Sequence, residues 1–376
     1  MEHITPYRDS DRIHRVIQDI NRLVISVADT LQRPVQIMEV CGGHTHTLFR
    51  YGLPQLLNDR LEFVHGPGCP VCVLPRSVID QAVRIAQQPD VIFTTYGDAL
   101  RVPGGVGSLQ SARAAGADVR VLYSPEDAIQ LATDNPHRQV VFFAIGFETT
   151  MPGTALTLQQ ARQRQLKNFS VLAHHITIMP TLRALLERDD IVIDGFIGPG
   201  HVSAIIGSEV YQEIAGRFQR PLVVSGFEPL DMVQSLLMLL KQLNSGRCEV
   251  ENQYRRVVKS AGNWAALKAI NDVFALHQSD ALWRGLGEIP SSGAPISDAY
   301  AGFDAARRFG QPLTGGDQDQ NGYCDQVMIG KLKPAQCPLF GKECHPQHPV
   351  GAMMVSSEGA CAAYYRYQPA AVEESL

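Results

Sequence analysis

The sequence lacks the features that mark membrane-spanning, nucleic-acid-binding and disulfide-stabilised proteins. No apolar run approaches the roughly 18 residues that span a bilayer, and the opening MEHITPYRDSDRIHR has no apolar signal-peptide core. The 33 Lys and Arg residues are outnumbered by 38 Asp and Glu, so there is no basic field for phosphate backbones. Eight cysteines among 376 residues are too few for a disulfide scaffold. We expect a cytoplasmic protein that binds neither membrane nor nucleic acid.

The composition is that of a folded protein with more than one core. Apolar residues make up 45% of the chain and charged residues 19%, which excludes a disordered scaffold. A single hydrophobic core stops growing at about 250–300 residues, and the chain is longer than that. Two or three domains are therefore expected.

From Pro34 to about Val224 the chain repeats one pattern: a short apolar run, a turn rich in Gly or Pro, and a stretch with helical periodicity. Nearly continuous apolar runs are typical of strands buried on both faces, as in parallel sheets covered by helices. The loops after such strands line the ligand crevice. The pattern predicts an α/β fold, and the runs that carry it are VQIMEV, DVIFTTYG, VVFFAIGF, FSVLAHH, IDGFIGPG and PLVVSGF.

We expect three domains along the chain. Residues 1–135 and 136–230 would form two parallel-sheet α/β domains of similar topology, because TTYGDALRVPG and AIGFETTMPG both place a polar loop after an apolar strand. Residues 231–376 begin with helical periodicity and then become rich in Gly and Pro. A loop-rich segment of that kind needs a metal or covalent staple. We expect a helical and loop-rich iron-sulfur domain there.

Four cysteines lie in this last segment, separated by 12, 6 and 16 residues: Cys324, Cys337, Cys344 and Cys361. Four thiolates can hold a zinc ion or a [4Fe-4S] cluster. The absence of a C-x2-C pair among them argues against a zinc ribbon and favours the cluster. The alternative is four unrelated buried cysteines.

Cys69 and Cys72 form a C-x-x-C in the segment GPGCPVC, between the apolar LEFVH and the helix-like SVIDQAVRIA. At a strand-to-helix turn, helix N-terminal amides lower a thiol pKa and make a reversible disulfide available. Half of a zinc site is the alternative interpretation. Redox activity is favoured.

Cys41 begins the segment CGGHTH after the strand-like VQIMEV. Two glycines after a cysteine would let a bulky ligand approach the sulfur, and His44 and His46 could orient it or adjust the protonation of the thiol. A buried cysteine beside a glycine turn explains the pattern equally well. Cys248 has no partner nearby and is taken as incidental.

Three loops without cysteine also look like sites: GFETT with Glu148, Thr149 and Thr150, PGHVS with His201, and GFEPLD. Capped helix starts are the commoner explanation of such residues. The segment PGGVGS at 103–108 could bind a phosphate, but it matches neither nucleotide-binding glycine motif.

These segments, in this order and with the terminal CPLFGKEC and SSEGACAAYYRY, resemble the HypD family of hydrogenase maturation factors over residues 34–367. The resemblance implies assembly of the Fe(CN)2CO unit of [NiFe]-hydrogenases, in complex with a HypC-type chaperone and with cyanide from a HypE-type donor. It also implies that Cys41 binds the iron together with a HypC cysteine and that Cys69 and Cys72 are a thiol/disulfide pair. The four C-terminal cysteines would hold a [4Fe-4S] cluster.

The sequence therefore predicts a scaffold and redox catalyst for cyanide transfer to iron. His44, His201, Glu148, Thr149 and Thr150 are the further residues expected in its site. Two alternatives stay open. One is an iron-sulfur thiol/disulfide oxidoreductase that acts on a small molecule, and the other is a structural zinc protein.

Overall fold

Two parallel sheets and the helices that cover them make up most of the chain. The computed structural model describes residues 5–311, 313 and 323–367. Within these residues the strands are β1 Val35–Glu39, β2 Leu61–His65, β3 Val91–Thr95, β4 Val119–Val121, β5 Gln139–Gly146, β6 Phe169–His175, β7 Gly195–Gly198, β8 Leu222–Val224, β9 Val250–Asn252, β10 Ser279–Trp283 and β11 Gly287–Gly293.

The α-helices of the described residues vary in length from one turn to six. They are α1 Ser10–Leu31, α2 Gly42–Arg50, α3 Leu53–Leu56, α4 Arg76–Ala86, α5 Leu109–Ala114, α6 Glu126–Asp134, α7 Met151–Gln163, α8 Ile178–Leu186, α9 Gly200–Ile206, α10 Gln212–Gly216, α11 Pro229–Ser245, α12 Trp264–Val273, α13 Ala305–Phe309, α14 Tyr323–Met328 and α15 Ala360–Tyr367. Short 3₁₀ segments add Thr5–Arg8, Gly97–Arg101, Glu209–Tyr211, Asp298–Phe303, Pro334–Gln336 and Ala352–Met354. None of the helices in the described part of the chain has the length and apolar content to cross a bilayer.

The strand order confirms the α/β class. The first sheet has the order β2-β1-β7-β8-β9 and the second has the order β4-β3-β5-β6. All neighbouring strands in both sheets are parallel. Strands β10 and β11 pair separately as an antiparallel ribbon.

The chain moves between the two sheets. It builds β1 and β2 in the first, passes to the second for β3 to β6, and returns to the first with β7. The expected boundary between residues 135 and 136 falls between β4 and β5, which share the second sheet. That boundary therefore does not separate the two sheets. The sequence could not show this, because the apolar pattern of a buried parallel strand does not indicate which sheet the strand joins.

The segment expected as a separate C-terminal domain also contributes to both units. Strand β9 pairs with β8 in the first sheet, α11 packs along α1 and α12 packs against α7. The buried face of helix α1 consists of apolar residues three or four positions apart, which is the spacing of one helix face. They are Ile13, Ile17, Ile20, Val24 and Val27, and each is buried.

Parallel pairing brings several loops to one edge of the first sheet. Glu39 at the end of β1 pairs with His65 at the end of β2 and with Ile197 of β7. Gly198 of β7 in turn pairs with Val224 of β8. Since the carboxyl ends of parallel strands lie at the same edge, four loops leave it side by side. They carry CGGHTH, GPGCPVC, PGHVS and GFEPLD.

Candidate functional site

Cys41 lies in extended conformation directly before helix α2, and its side chain is buried. Burial raises the pKa of its thiol well above the usual range, and the nearby carboxylate of Glu358 raises it further. Backbone amides of Gly43 and His44 lower the pKa without offsetting burial. The thiol is therefore neutral near pH 7, and a metal ion must displace its proton to bind.

The glycines beside Cys41 serve close packing. A Cβ at Gly42 would collide with Glu358, and a Cβ at Gly43 would lie 2.9 Å from the ring of Phe227. A Cβ at Gly68 would collide with the backbone of Val40 and Cys41. The sequence interpretation gave Gly42 and Gly43 the task of leaving room for a ligand. In this conformation Glu358 and Phe227 occupy that room.

Two imidazoles stack on the ring of Phe227. The His44 ring centroid lies 4.6 Å from that of Phe227 and the His201 centroid lies 3.8 Å from it, with both ring pairs nearly parallel. Nδ1 of His201 is 4.0 Å from the sulfur of Cys41. Burial lowers the pKa of His44 to about 4 and also lowers that of His201. Both rings are neutral at pH 7, so they add no charge beside Cys41.

His46 lies apart from this arrangement. Its ring packs edge-on against Tyr367, at 5.5 Å between centroids, and its Nε2 lies 3.4 Å from the tyrosine hydroxyl. The structure therefore brings His44 and His201 to Cys41 but not His46, although His44 and His46 were grouped by sequence. Residues two apart in a helix point in different directions.

A buried carboxylate that sequence reasoning missed connects the first two strands. Glu39 is fully buried, and its oxygens accept from the Cys41 amide at 3.1 Å and the Thr45 hydroxyl. Nδ1 of His65 lies 2.8 Å from the same carboxylate. The sequence did contain a signal for this contact. A carboxylate and an imidazole are the last residues of two apolar strands, immediately before the two cysteine motifs.

Cys69 and Cys72 are joined in a disulfide, and both residues are buried. The Cys72 amide donates to the Cys69 sulfur at 3.3 Å. Helix α4 begins only at Arg76, whereas the sequence interpretation placed the thiols at a helix N-terminus. The turn from Cys69 to Leu74 supplies the local amides instead.

The disulfide lines a small cavity together with parts of several other segments. Gly42 of α2, His65 of β2 and Glu358 lie around it, and Met353 contributes to its wall. The loop that carries the disulfide is fixed to the Cys41 loop, because the Gly42 amide donates to the Gly68 carbonyl at 3.3 Å. Cys41 and the pair therefore belong to one packed unit.

The four C-terminal cysteines line a second, largely apolar cavity. Cys344 and Cys361 are buried, and Cys324 and Cys337 are half-buried. A Cβ at Gly351 would collide with the Cys324 sulfur, so glycine is required there. Met353 lines this cavity as well as that of the disulfide. The described residues contain no group of three or more His, Cys, Asp or Glu arranged to hold a single metal ion.

Glu148 lies at the end of the second sheet and lines a different cavity, with Thr177 and Arg183. One carboxylate oxygen accepts from the Ile178 amide at 3.1 Å, and the other is buried without a partner. Burial raises the pKa of Glu148 to about 7. The hydroxyl of Thr150 donates to the Ile145 carbonyl at 2.9 Å, as a turn-capping residue does.

The last two sequence candidates differ in their surroundings. Thr149 follows Glu148 in the same loop and is half-buried, so it also belongs to the edge of the second sheet. The amides of Gly105 and Val106 in PGGVGS donate to the carboxylate of Asp80 at 2.8 and 3.0 Å. This loop therefore binds a carboxylate of its own chain where a phosphate was considered.

Known proteins match the chain over nearly its whole length. The model of a family described as "HypD: Hydrogenase formation hypA family" matches residues 11–368. A hydrogenase maturation factor HypD from Escherichia coli is 54% identical, covering 98% of each chain, and one from Rhodobacter capsulatus is 51% identical over the full length of both. A third, from Cupriavidus necator, is 44% identical over 98% of this chain and 97% of its own. The resemblance seen in the motifs is confirmed.

Proposed function

Because the chain belongs to the HypD family, we propose that this hydrogenase maturation factor is the scaffold and redox catalyst for assembling the Fe(CN)2CO unit of [NiFe]-hydrogenases. One observation carries the proposal. The loops of Cys41 and of the Cys69–Cys72 pair leave neighbouring parallel strands and are hydrogen-bonded to each other. The thiol proposed to bind the metal and the pair proposed to supply two electrons are thus carried by adjacent loops.

Cys41 is the residue proposed to bind the iron substrate. Thiolate is a soft ligand that suits iron with strong-field carbon ligands. His201 lies beside the sulfur and stacks on Phe227. We propose that it fixes the orientation of the thiol toward the incoming metal. Because Cys41 is buried, loading requires the packing of Glu358 over Gly42 to open. A cysteine of a HypC-type partner is proposed as the second protein ligand.

Cys69 and Cys72 are proposed to supply the electrons for cyanide release. Cyanide carried as a thiocyanate on a HypE-type partner is freed when its S–C bond takes up two electrons. In the dithiol form, two S–H bonds break and one S–S bond forms, which gives up two electrons and two protons. One proton goes to the donor's thiolate and the other to solvent, and cyanide leaves for iron. An external reductant must restore the dithiol, which fits the reducing cytoplasm.

The four C-terminal cysteines have the donor set and surroundings that fit a [4Fe-4S] cluster. The four cysteines line an apolar cavity, and a cluster needs thiolates distributed around a volume, whereas zinc needs them around a point. When bound, such a cluster supplies one-electron transfer. Cys324, Cys337, Cys344 and Cys361 would hold it, and Met353 forms the wall shared with the disulfide cavity.

Glu148, Thr149 and Thr150 lie at the edge of the second sheet, and we propose that they act at a distance from the thiols. Their loop is a candidate for contacts with the HypE-type or HypC-type partner. His44, buried and neutral, donates from Nε2 to the Ser225 carbonyl at 3.1 Å. Its proposed role is to hold Phe227 and, through that ring, His201.

Complementation tests this function directly. A host that lacks its own HypD should regain [NiFe]-hydrogenase activity with the wild-type chain and with Cys248→Ala, whose thiol lies in neither cysteine cavity. Cys41→Ala, Cys69→Ala and Cys72→Ala should each abolish the activity. If the wild-type chain restores no activity while the purified protein reduces a soluble disulfide, the oxidoreductase alternative is correct.

A further inference from the structure

We propose that His65, held by Glu39, is the proton acceptor that ionises the Cys69–Cys72 pair in its dithiol form. The proposal deepens the function given above and rests on this pair acting as a dithiol. Three features carry it: a buried carboxylate that orients the ring, an imidazole nitrogen without a partner, and a cavity that this imidazole shares with Cys69 and Cys72.

Glu39 fixes the orientation of His65. Its carboxylate is 1% exposed and accepts from the Cys41 amide, the Thr45 hydroxyl and His65 Nδ1. With three donors the buried carboxylate is satisfied, which removes most of the cost of burying it. Because Nδ1 carries the hydrogen of this network, the lone pair of the neutral imidazole lies on Nε2.

Nε2 of His65 is buried and has no hydrogen-bond partner. The ring is held on its other sides by Phe49, at 5.4 Å between centroids, and by Tyr364, at 5.7 Å. Buried polar atoms are nearly always paired, so an unpaired one requires an explanation. His65 lines the cavity of Cys69 and Cys72, where a disulfide offers no proton and a dithiol offers two.

The step itself is a proton transfer. An S–H bond of the pair breaks, an N–H bond forms at Nε2, and no electron moves. The products are a thiolate and an imidazolium that faces the Glu39 carboxylate. A buried carboxylate behind an imidazole stabilises the imidazolium in the same way in catalytic triads. The thiolate is the form that attacks sulfur electrophiles.

Glu358 is the charged group of the cavity that disfavours a thiolate. Among the described residues that line it, the titratable side chains are His65, Glu358 and the two cysteines. Beyond the lining lie Glu39, which is bonded to His65, Tyr364, which packs edge-on against the imidazole, and Asp98, which accepts from the Ser356 hydroxyl at 2.7 Å. Glu358 is mostly buried, and burial raises its pKa, as does the charge of Asp98. When ionised, Glu358 repels a thiolate, so a cation on His65 is needed as the counter-charge.

The test measures thiol ionisation in the isolated protein with its cluster intact. After reduction with a phosphine, iodoacetamide alkylation of Cys69 and Cys72 is followed by peptide mass spectrometry from about pH 5 to about pH 10. In the wild type, one of the two thiols should ionise well below the usual pKa of about 8.5. His65→Gln, which can still donate to Glu39, should slow alkylation of that thiol at pH 7 by about tenfold or more.

Two further variants separate the proton acceptor from a general disturbance of the cavity. Glu39→Gln should slow alkylation in the same direction but less, because His65 remains without its carboxylate. Glu358→Gln should speed alkylation, because it removes a negative charge from the cavity. At each pH, the rate of Cys248 alkylation should be the same in the wild type and in the three variants.

Two results would overturn the proposal. One is a wild-type pH profile with both thiols at or above the usual pKa, which requires no variant at all. The other is an unchanged profile in His65→Gln and Glu39→Gln with the cluster absorbance retained. The alkylation assay uses the isolated protein, without a hydrogenase or a partner. A failure of complementation in cells would therefore not change its result, so failure of the proposed function can be told apart from failure of this proposal.

Discussion

The backbone of Gly68 packs directly against the backbone nitrogen of Cys41. A Cβ at position 68 would collide with that nitrogen and with the Val40 carbonyl group, and the Gly68 carbonyl accepts from the Gly42 amide. The loop that carries the disulfide and the loop that carries the proposed iron ligand are therefore one mechanical unit. Both follow strands that pair in register, β1 and β2.

Gly68→Ala should separate these loops. Its methyl group would meet backbone atoms that cannot rotate away, so we expect a loss of about 1–3 kcal/mol in the free energy of unfolding. The same variant should lose hydrogenase maturation in complementation. Thermal unfolding measures the first effect. Gly216→Ala is the control, since a Cβ there meets nothing within 4 Å, and equal stability of the two variants would contradict the packing argument.

Cys41→Ala should lose the proposed substrate iron while it keeps the brown absorbance of the proposed cluster and the melting temperature of the wild type. The reason is that Cys41 lies outside the cavity lined by the four C-terminal cysteines. Iron analysis and the visible spectrum check both parts. A bleached variant would show that the two sulfur sites are not separate.

Cys337→Ala should bleach the cluster and loosen the C-terminal region, because metal binding and local folding are coupled in a loop-rich segment. Limited proteolysis should then cut between residues 323 and 367 faster than in the wild type. Cys248→Ala is the matched control and should change neither readout. Full absorbance in Cys337→Ala would contradict the ligand assignment.

Glu148 should make stability depend on pH. Its pKa is raised by burial from 4.5 to about 7, so the folded state holds the proton more tightly than the unfolded state. The stabilisation is complete below pH 4.5 and is lost as pH rises to about 7, by up to about 3 kcal/mol. Chemical unfolding of Glu148→Gln across this range should show a gain over the wild type that grows with pH.

The control for this series is Glu288→Gln, at an exposed position of β11. That variant should follow the wild-type pH dependence throughout. A Glu148→Gln variant that also follows it would mean that solvent in the neighbouring cavity hydrates the carboxylate and keeps its pKa ordinary.

Much of the strand content was predictable from the sequence, and sheet membership was not. Runs such as VVFFAIGF became β5 because a buried parallel strand is apolar on both faces. The same property hides which sheet a strand joins, and for that reason the expected boundary at 135/136 fell inside the second sheet. Register across crossovers is set by packing between distant segments.

The cysteine motifs identified the site, but their surroundings came from the fold. Nothing local links Glu39 to His65, which are 26 positions apart and meet only because β1 pairs with β2. The stacking of His44 and His201 on Phe227 joins three segments that follow strands of the same edge. The glycines after Cys41 were visible in the sequence, whereas the side chains that fill their space were not.

Infrared spectroscopy of the protein, purified without oxygen from a host that coexpresses a HypC-type partner, tests the central claim most directly. The wild type should show the stretching bands of CO and cyanide bound to iron, and Cys41→Ala should show neither while keeping its cluster absorbance. Bands of equal strength in Cys41→Ala would contradict the assignment of Cys41 as the thiol on which the iron unit is assembled.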